Sequence, residues 1–196
     1  MESLLLTLLT LGLMAAVVIF FRSLVRRPRG MSDVDPVGVR TVAAFQGDAP
    51  EFFAQDHDGP LVGIQLFHAL CDGLARASVE IAQRGTIQNA ERALCVVGGE
   101  RFALVLEWVE GLWVVGVDWV PASRAEIRHV ALTHEVFAPP DSLALRSLLT
   151  TLDGWLKSQP LLSNVRWHRK EKWIAEDLSD PSSQPLASSP SERGLG

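Results

Sequence analysis

The residues best suited to chemistry stand close together in the chain as His68, Cys71 and Asp72. His68 and Cys71 are three residues apart, so on a helix they would share a face and could bind one metal ion or act as base and nucleophile. A metal site would need further ligands, for which the candidates are His57, His129 and His134. The spacing matches no metal-binding signature. It is more typical of a half-buried histidine beside a core cysteine, and we predict no metal, no cofactor and no catalytic residue.

The remaining polar candidates can also be explained without a reaction. His57 lies between two aspartates, where a carboxylate could orient its ring for acid–base chemistry, but a polar turn accounts for the same residues. The spacing of Cys71 and Cys95 fits no zinc or redox motif, and we expect both thiols to be buried. The chain has no phosphate-binding loop, serine-hydrolase motif or zinc-protease motif. Enzymatic activity is therefore undecided, and its absence is favoured.

Four tryptophans are the candidate contacts for a protein partner. Trp108 and Trp113 flank a predicted turn at residues 110–111, and an uncovered end of their sheet would offer an aromatic anchor. Trp167 and Trp173 alternate with arginines and lysines, so they could touch an acidic partner or an anionic membrane surface. Tryptophan is used more often in the core, which is the competing interpretation of Trp108 and Trp113. The competing interpretation of Trp167 and Trp173 is a solvated basic edge.

A long apolar segment near the start of the chain is a candidate anchor for the residues that follow it. Residues 3–21 carry no charge, and a helix of that length would cover about 28 Å, close to the thickness of a bilayer's hydrocarbon core. We predict a transmembrane anchor within residues 1–27. A cleavable signal peptide would place its positive charges before the apolar segment, and here they follow it.

The arginines that follow the apolar segment predict its orientation. They are Arg22, Arg26, Arg27 and Arg29. Basic residues stay on the cytoplasmic side, so we expect a plasma-membrane protein with its N-terminus outside and its C-terminal domain in the cytoplasm. The same arginines could bind anionic lipid headgroups. Gly12 and Ala16 could bring two spans together as a homodimer.

The net charge of −5 argues against general binding of nucleic acid, which requires a clustered basic surface. Arginine greatly outnumbers lysine, which is typical of a GC-rich genome and suggests a bacterial chain. We expect a flexible linker at residues 28–36, a folded domain at residues 37–176 and a disordered Ser/Pro-rich tail at residues 177–196.

Within the folded domain, apolar residues recur at helical intervals over residues 61–83, and this spacing predicts an amphipathic helix. The clearest strands are residues 102–109 and 112–119, whose alternating pattern would pair Trp108 with Trp113 and Phe102 with Trp119. A turn at residues 98–99 would join residues 93–97 to the same sheet, and residues 126–137 would supply a fourth strand. A second helix should begin after Asp141 or Ser142. Its one apolar face would consist of leucines: Leu145, Leu148, Leu149, Leu152 and Leu156.

Two segments have two interpretations each. Residues 37–45 are predicted as a first strand or an extended segment lying over the domain, and residues 165–175 as a last strand or a short basic helix. The predicted fold is α+β: one N-terminal transmembrane helix, then a two-layer domain of a four-stranded antiparallel meander packed against two helices.

We therefore expect a single-pass membrane protein whose cytoplasmic domain binds a protein partner, as an accessory or scaffold subunit of a membrane complex. The alternatives are a membrane-tethered enzyme, possibly metal-dependent, that uses His68, Cys71 and Asp72, and a sensor of a small ligand.

Overall fold

A computed structural model describes residues 31–53, 63–87, 90–133, 137–174 and 181–187. The chain divides into two compact units, one formed by residues 1–31 and 121–136 and the other by residues 32–120 and 137–196. Each unit is described separately below.

The larger unit is built on a six-stranded antiparallel sheet within the described ranges. Its strands are β1 (Val42–Gln46), β2 (Glu80–Ile87), β3 (Ala90–Val97), β4 (Glu100–Val109), β5 (Leu112–Trp119) and β6 (Ser163–His168). Their order across the sheet is β2-β3-β4-β5-β1-β6. β2 to β5 form consecutive hairpins, and β1 is inserted between β5 and β6.

The β4–β5 hairpin has the predicted register. Trp108 pairs with Trp113 and Phe102 with Trp119, and the two pairs between them also match, which confirms this part of the sequence analysis. Glu110 and Gly111 both have positive φ, at 49° and 89°. Two successive residues of positive φ give the turn whose twist matches a two-residue hairpin, and glycine adopts that conformation without strain.

Two helices cover one face of the sheet. They are α1 (Ile64–Arg76) and α3 (Leu143–Ser158), and between them in sequence lies α2 (Arg124–Thr133), which belongs to the other unit. The predicted leucine face of α3 is fully buried, and Leu145 and Leu152 have no exposed surface. Ser142 caps α3, as predicted, by accepting a hydrogen bond from the backbone N–H of Leu145 at 3.0 Å. The core lies between these helices and the inward residues of β3, β4 and β5.

The opposite face of the central strands is buried as well. Val42 and Ala44 on β1, Ala103 on β4 and Val114 on β5 are each at most 5% exposed. These residues alternate with the ones that face α1 and α3, because side chains of a strand point to opposite faces in turn. The near-continuous apolar sequence of β5 fits a strand that is buried on both sides.

The smaller unit contributes one described helix, α2. Ser123 and Glu126 form a reciprocal cap at its start: the Ser123 hydroxyl accepts from the N–H of Glu126 at 3.2 Å, and the Glu126 carboxylate accepts from the N–H of Ser123 at 2.7 Å. This Ser-x-x-Glu capping box favours a helix start. The predicted fourth strand at residues 126–137 is therefore wrong, since its first eight residues belong to this helix.

The predicted fold is wrong in its strand count as well. The sheet has six strands instead of four: three of the predicted strands are present as β3, β4 and β5, β1 and β6 join them, and β2 forms where the sequence favoured a longer helix. Helix α1 ends at Arg76 instead of continuing to residue 83. Ser78 then adopts a φ of 67°, which turns the chain back so that β2 can pair with β3.

Residues 165–175 combine both interpretations, with β6 followed by the short helix α4 (Lys170–Ile174). No helix in the described part of the chain is both long and apolar enough to cross a membrane. The predicted anchor at residues 1–27 lies outside that part.

The two edges of the sheet differ. At the β6 edge, Trp167 and Ser182 exchange backbone hydrogen bonds of 2.7 and 2.8 Å, and Leu186 bridges to Val39. Residues 181–187 therefore lie along this edge, with Pro185 buried, although the sequence favoured a disordered tail from residue 177. At the opposite edge, no described residue pairs with the outer side of β2.

Candidate functional site

The structure separates the residues of the predicted chemical motif on α1. Cys71 is fully buried in the core, whereas His68 and Asp72 are exposed. Burial raises the pKa of the Cys71 thiol to about 11. A thiol acts as a nucleophile through its thiolate, so Cys71 is inert at neutral pH. Asp72 forms a surface ion pair with Arg84 on β2 at 2.6 Å, and the hydrogen bond from that guanidinium lowers the pKa of its carboxyl group.

The structure gives the position of one of the three additional candidate ligands. His57 and His134 lie outside the described residues, and His129 is on α2 of the other unit. Among the residues whose positions the structure gives, no three histidine, cysteine or carboxylate side chains are grouped as metal ligands would be. Cys95 is also buried, and burial raises its pKa to about 12.

Two of the four predicted contact tryptophans belong to the core. Trp113 has no exposed surface and donates its indole N–H to the carbonyl of Gly47 at 3.0 Å. Trp167 is equally buried and donates to the Asp153 carboxylate at 2.8 Å. Neither could reach a partner without opening the core. The side chain of Trp173, and Arg22, Arg26, Arg27 and Arg29, lie outside the described part of the chain.

Trp108 is the predicted contact that the fold leaves accessible, with 36% of its surface exposed. Its ring packs edge-on against Phe53 at a centroid distance of 5.0 Å and tilts against Trp113 at 4.8 Å. The buried ring of Trp113 therefore supports it from within the core. Such a rigid, half-exposed aromatic side chain is a typical anchor for a protein partner.

A second candidate surface is the open edge of β2. A strand at a sheet edge presents unpaired backbone N–H and C=O groups that can pair with another chain. β2 is eight residues long, and all of its residues except Ile81 are exposed. A bulge between Ile81 and Gln83 interrupts the ladder to β3, and regular pairing then continues from Gln83 to Ile87. That regular part is long enough to receive an added strand.

The sheet face beside this edge carries a groove of about 260 Å³. Its lining includes Gln83, Gly85, Arg92, Leu94 and Arg101. Because Ala93 and Cys95 face the core, their neighbours Arg92 and Leu94 point to the other face of the sheet. The groove thus lies on the side away from α1 and α3. We refer to it below as the arginine groove.

The arginines of the groove differ in their partners. Arg84 is paired with Asp72, on the helix side of the sheet. Within the described ranges, the exposed Arg92 and Arg101 form no ion pair and no side-chain hydrogen bond. Arg92 lies opposite Gly85 in register, and a Cβ added at Gly85 would have nothing within 4 Å. The groove therefore combines two guanidinium groups that have no partner among the described residues with an open path across the edge strand.

A third polar cluster surrounds Asp35 and is structural. The Asp35 carboxylate accepts hydrogen bonds from the Thr41 N–H, the Thr41 hydroxyl and the Lys170 N–H at 3.0, 2.7 and 2.9 Å. The Lys170 ammonium donates to Asp118. Burial raises the pKa of Asp35, and these hydrogen bonds oppose the shift. The cluster therefore joins the residue before β1 to the start of α4.

Sequence reasoning missed both the open edge and the arginine groove. The available signal was the alternation in residues 92–96, where Arg92, Leu94 and Val96 alternate with small residues of the core. Which strand would lie at an edge depends on the insertion of β1 beside β5, and local spacing does not show that. Comparison with known proteins finds no family model, curated protein or solved structure that matches this chain.

Proposed function

We propose that this chain is a membrane-anchored accessory subunit whose folded domain binds a protein partner and carries out no reaction of its own. The observation that carries the proposal is the open edge of β2, an exposed strand with no described neighbour on its outer side. Natural sheets usually protect such edges, and this chain does so with residues 181–187 at the opposite edge, beside β6. An edge strand and arginines that have no partner in the described part of the chain are suited to pairing with another protein.

The chemistry of the described side chains supports a binding role over catalysis. Both thiols are buried, with the pKa of Cys71 raised to about 11, and the described residues contain no group of histidine, cysteine and carboxylate side chains that could hold a metal ion. The membrane part of the proposal rests on the uncharged segment of residues 3–21 and on the four arginines that follow it. An accessory subunit needs a partner in the same membrane, which an anchor would keep close.

The experiment is gentle detergent extraction of the tagged full-length protein, followed by native mass spectrometry of the complex. We expect a stoichiometric membrane partner. Hydrogen exchange of the isolated protein and of the complex should then differ at residues 80–87. Recovery of the protein alone, as a monomer or homodimer, from membranes that contain its natural neighbours would contradict the proposal.

Two substitutions in the same face of the sheet show whether capture is specific. Gly85→Glu places a bulky charged side chain at the open edge, where the backbone leaves room for it. Arg166→Glu changes an exposed residue of β6, at the far end of the sheet. A partner bound at β2 should be lost with Gly85→Glu and retained with Arg166→Glu.

A further inference from the structure

We infer that the open edge of β2 and the arginine groove together bind an extended acidic segment of the partner, which adds to the sheet as a seventh strand. This inference rests on the proposed binding function and specifies the chemistry of the partner. Main-chain hydrogen bonds to β2 would supply affinity, and side chains entering the groove would supply selectivity.

The charges of the described residues favour an acidic occupant. Arg92 and Arg101 face the groove without an ion pair inside the described part of the chain, although the protein as a whole has a net charge of −5. A basic groove on an acidic protein attracts acidic segments over basic ones. Guanidinium groups bind carboxylates through two parallel hydrogen bonds, and these contacts are stronger than hydrogen bonds between neutral groups.

The positions of the arginines fit a strand at this edge. Neighbouring strands are about 4.8 Å apart, so an added strand would lie two strand spacings from β3, which carries Arg92. Gly85 stands between them and has no side chain to obstruct the guanidinium. Alternate side chains of the added strand would point to the face of Arg92 and Leu94. The occupant should therefore carry carboxylates at every second residue.

The test uses full-length protein in detergent micelles and fluorescein-labelled eight-residue peptides. The probe alternates Glu with Thr, and one control peptide alternates Lys with Thr. A second control has the Glu-Thr sequence with every backbone nitrogen methylated, so it cannot donate to a neighbouring strand. We expect fluorescence anisotropy to show binding of the first peptide and at least tenfold weaker binding of both controls. Amide exchange over residues 80–87 should slow when the first peptide binds.

Substitutions connect the binding to these residues. Arg92→Glu and Arg101→Glu should each weaken peptide binding at least tenfold, because each removes charge-assisted hydrogen bonds and places a like charge beside the carboxylates of the peptide. Gly85→Glu should abolish it, because the new carboxylate repels the peptide and fills the open path. Gly85→Ala and Arg166→Glu are the matched controls, and both should bind within about twofold of the original protein. Circular dichroism melting curves verify that each variant is folded.

The inference would be overturned if the Glu-Thr peptide did not bind at about 1 mM. It would also be overturned if the Lys-Thr peptide or the methylated peptide bound equally well. The third contradicting result is an equal loss of peptide affinity in the Arg166→Glu and Arg92→Glu variants. A natural partner that stays bound to the Gly85→Glu variant would also overturn the inference, but the accessory function would stand on another surface. If the peptide binds but no membrane partner is recovered, the accessory role would be contradicted and the peptide-binding site would be supported.

Discussion

Trp155 on α3 lies directly against the backbone of Gly73 on α1. A Cβ added at Gly73 would be 1.9 Å from Nε1 and 2.2 Å from Cδ1 of the indole, well inside van der Waals contact. Glycine in the middle of a helix costs about 1 kcal/mol relative to alanine. The structure explains why α1 carries it: the absent side chain lets the two core helices approach each other at this point.

Gly73→Ala is therefore predicted to destabilise the protein despite the gain in helix propensity. Displacing the indole should cost about 1–3 kcal/mol, as overpacking does in other cores, against a gain of about 1 kcal/mol from replacing glycine, so we expect a net loss of up to about 2 kcal/mol. Urea unfolding monitored by circular dichroism measures the free energy of unfolding. The same substitution in a Trp155→Ala background should instead be stabilising, since the obstructing ring is gone.

Gly154→Ala is the matched control for this cycle. Gly154 is an exposed residue of α3, and a Cβ there would have nothing within 4 Å. The Gly154→Ala substitution should stabilise the protein by about 1 kcal/mol whether or not Trp155 is present. If Gly73→Ala were as stabilising as Gly154→Ala in the unaltered protein, the indole would move aside without cost and the packing argument would fail.

The sequence predicted the fold best where one local pattern decided the structure. The β4–β5 register followed from alternating residues and a turn of two positive-φ residues, and the leucine face of α3 followed from helical spacing. The prediction from sequence failed where a strand pattern and a helix signal occurred in the same segment. Residues 126–137 contain apolar residues that fit a strand, but the capping interaction of Ser123 with Glu126 starts a helix there. The positions of β1 and β6 depend on contacts between distant parts of the chain.

Glu91 should make the stability of the protein depend on pH. Its side chain lies on the core face of β3 and is 5% exposed, and this burial raises its pKa. Because the pKa of Glu91 is higher in the folded than in the unfolded protein, the folded protein is destabilised when this carboxyl group ionises. Its contribution to stability is fully present below the unfolded-state pKa and is lost as the pH rises through the folded-state pKa. Relative to the original protein, Glu91→Gln should therefore gain stability as the pH rises from about 4, near the ordinary pKa of a glutamate, toward neutral pH.

Urea unfolding at several pH values measures this difference. Glu107→Gln on β4 is the control, because Glu107 is an exposed residue of the same sheet. A Glu91→Gln variant whose relative stability stayed constant over this range would show that the carboxylate is not held in an unfavourable environment. The hydrogen bond from the Thr86 hydroxyl and, less strongly, His68 on α1 lower the pKa of Glu91 and so oppose the effect of burial.

The two cysteines should be unreactive in the folded protein. Cys71 and Cys95 have no exposed surface, and burial raises their pKa values to about 11 and about 12. Almost no thiolate is then present near pH 8, and the reagent has no access to the sulfur. We expect Ellman's reagent to react slowly with the native protein and with two thiols at once after unfolding in guanidinium. A rapid phase in the native protein would point to an exposed cysteine and revive the enzymatic alternative.

The candidate site was only partly predictable, because residue type does not distinguish a core tryptophan from a surface one. Trp108 and Trp113 share a sheet face and pair in register, yet the first is half exposed and the second is fully buried. The difference arises from α1 and from the 3₁₀ turn Pro50–Phe53, which together cover the middle of that face and leave its end accessible. Their placement is set by tertiary packing and leaves no local signal in the sequence.

Substitution of these two tryptophans should separate stability from binding. Trp113→Ala removes a fully buried ring and the hydrogen bond to Gly47, so we expect a loss of about 3–5 kcal/mol in the free energy of unfolding. Trp108→Ala should cost less, about 1–2 kcal/mol, because its ring is partly exposed.

If Trp108 belongs to the partner surface, the Trp108→Ala variant should remain folded and yet lose capture of the partner. Trp108→Phe, which keeps an aromatic ring against Phe53, should retain most of the binding. Full capture by a folded Trp108→Ala variant would exclude this aromatic end from the interface.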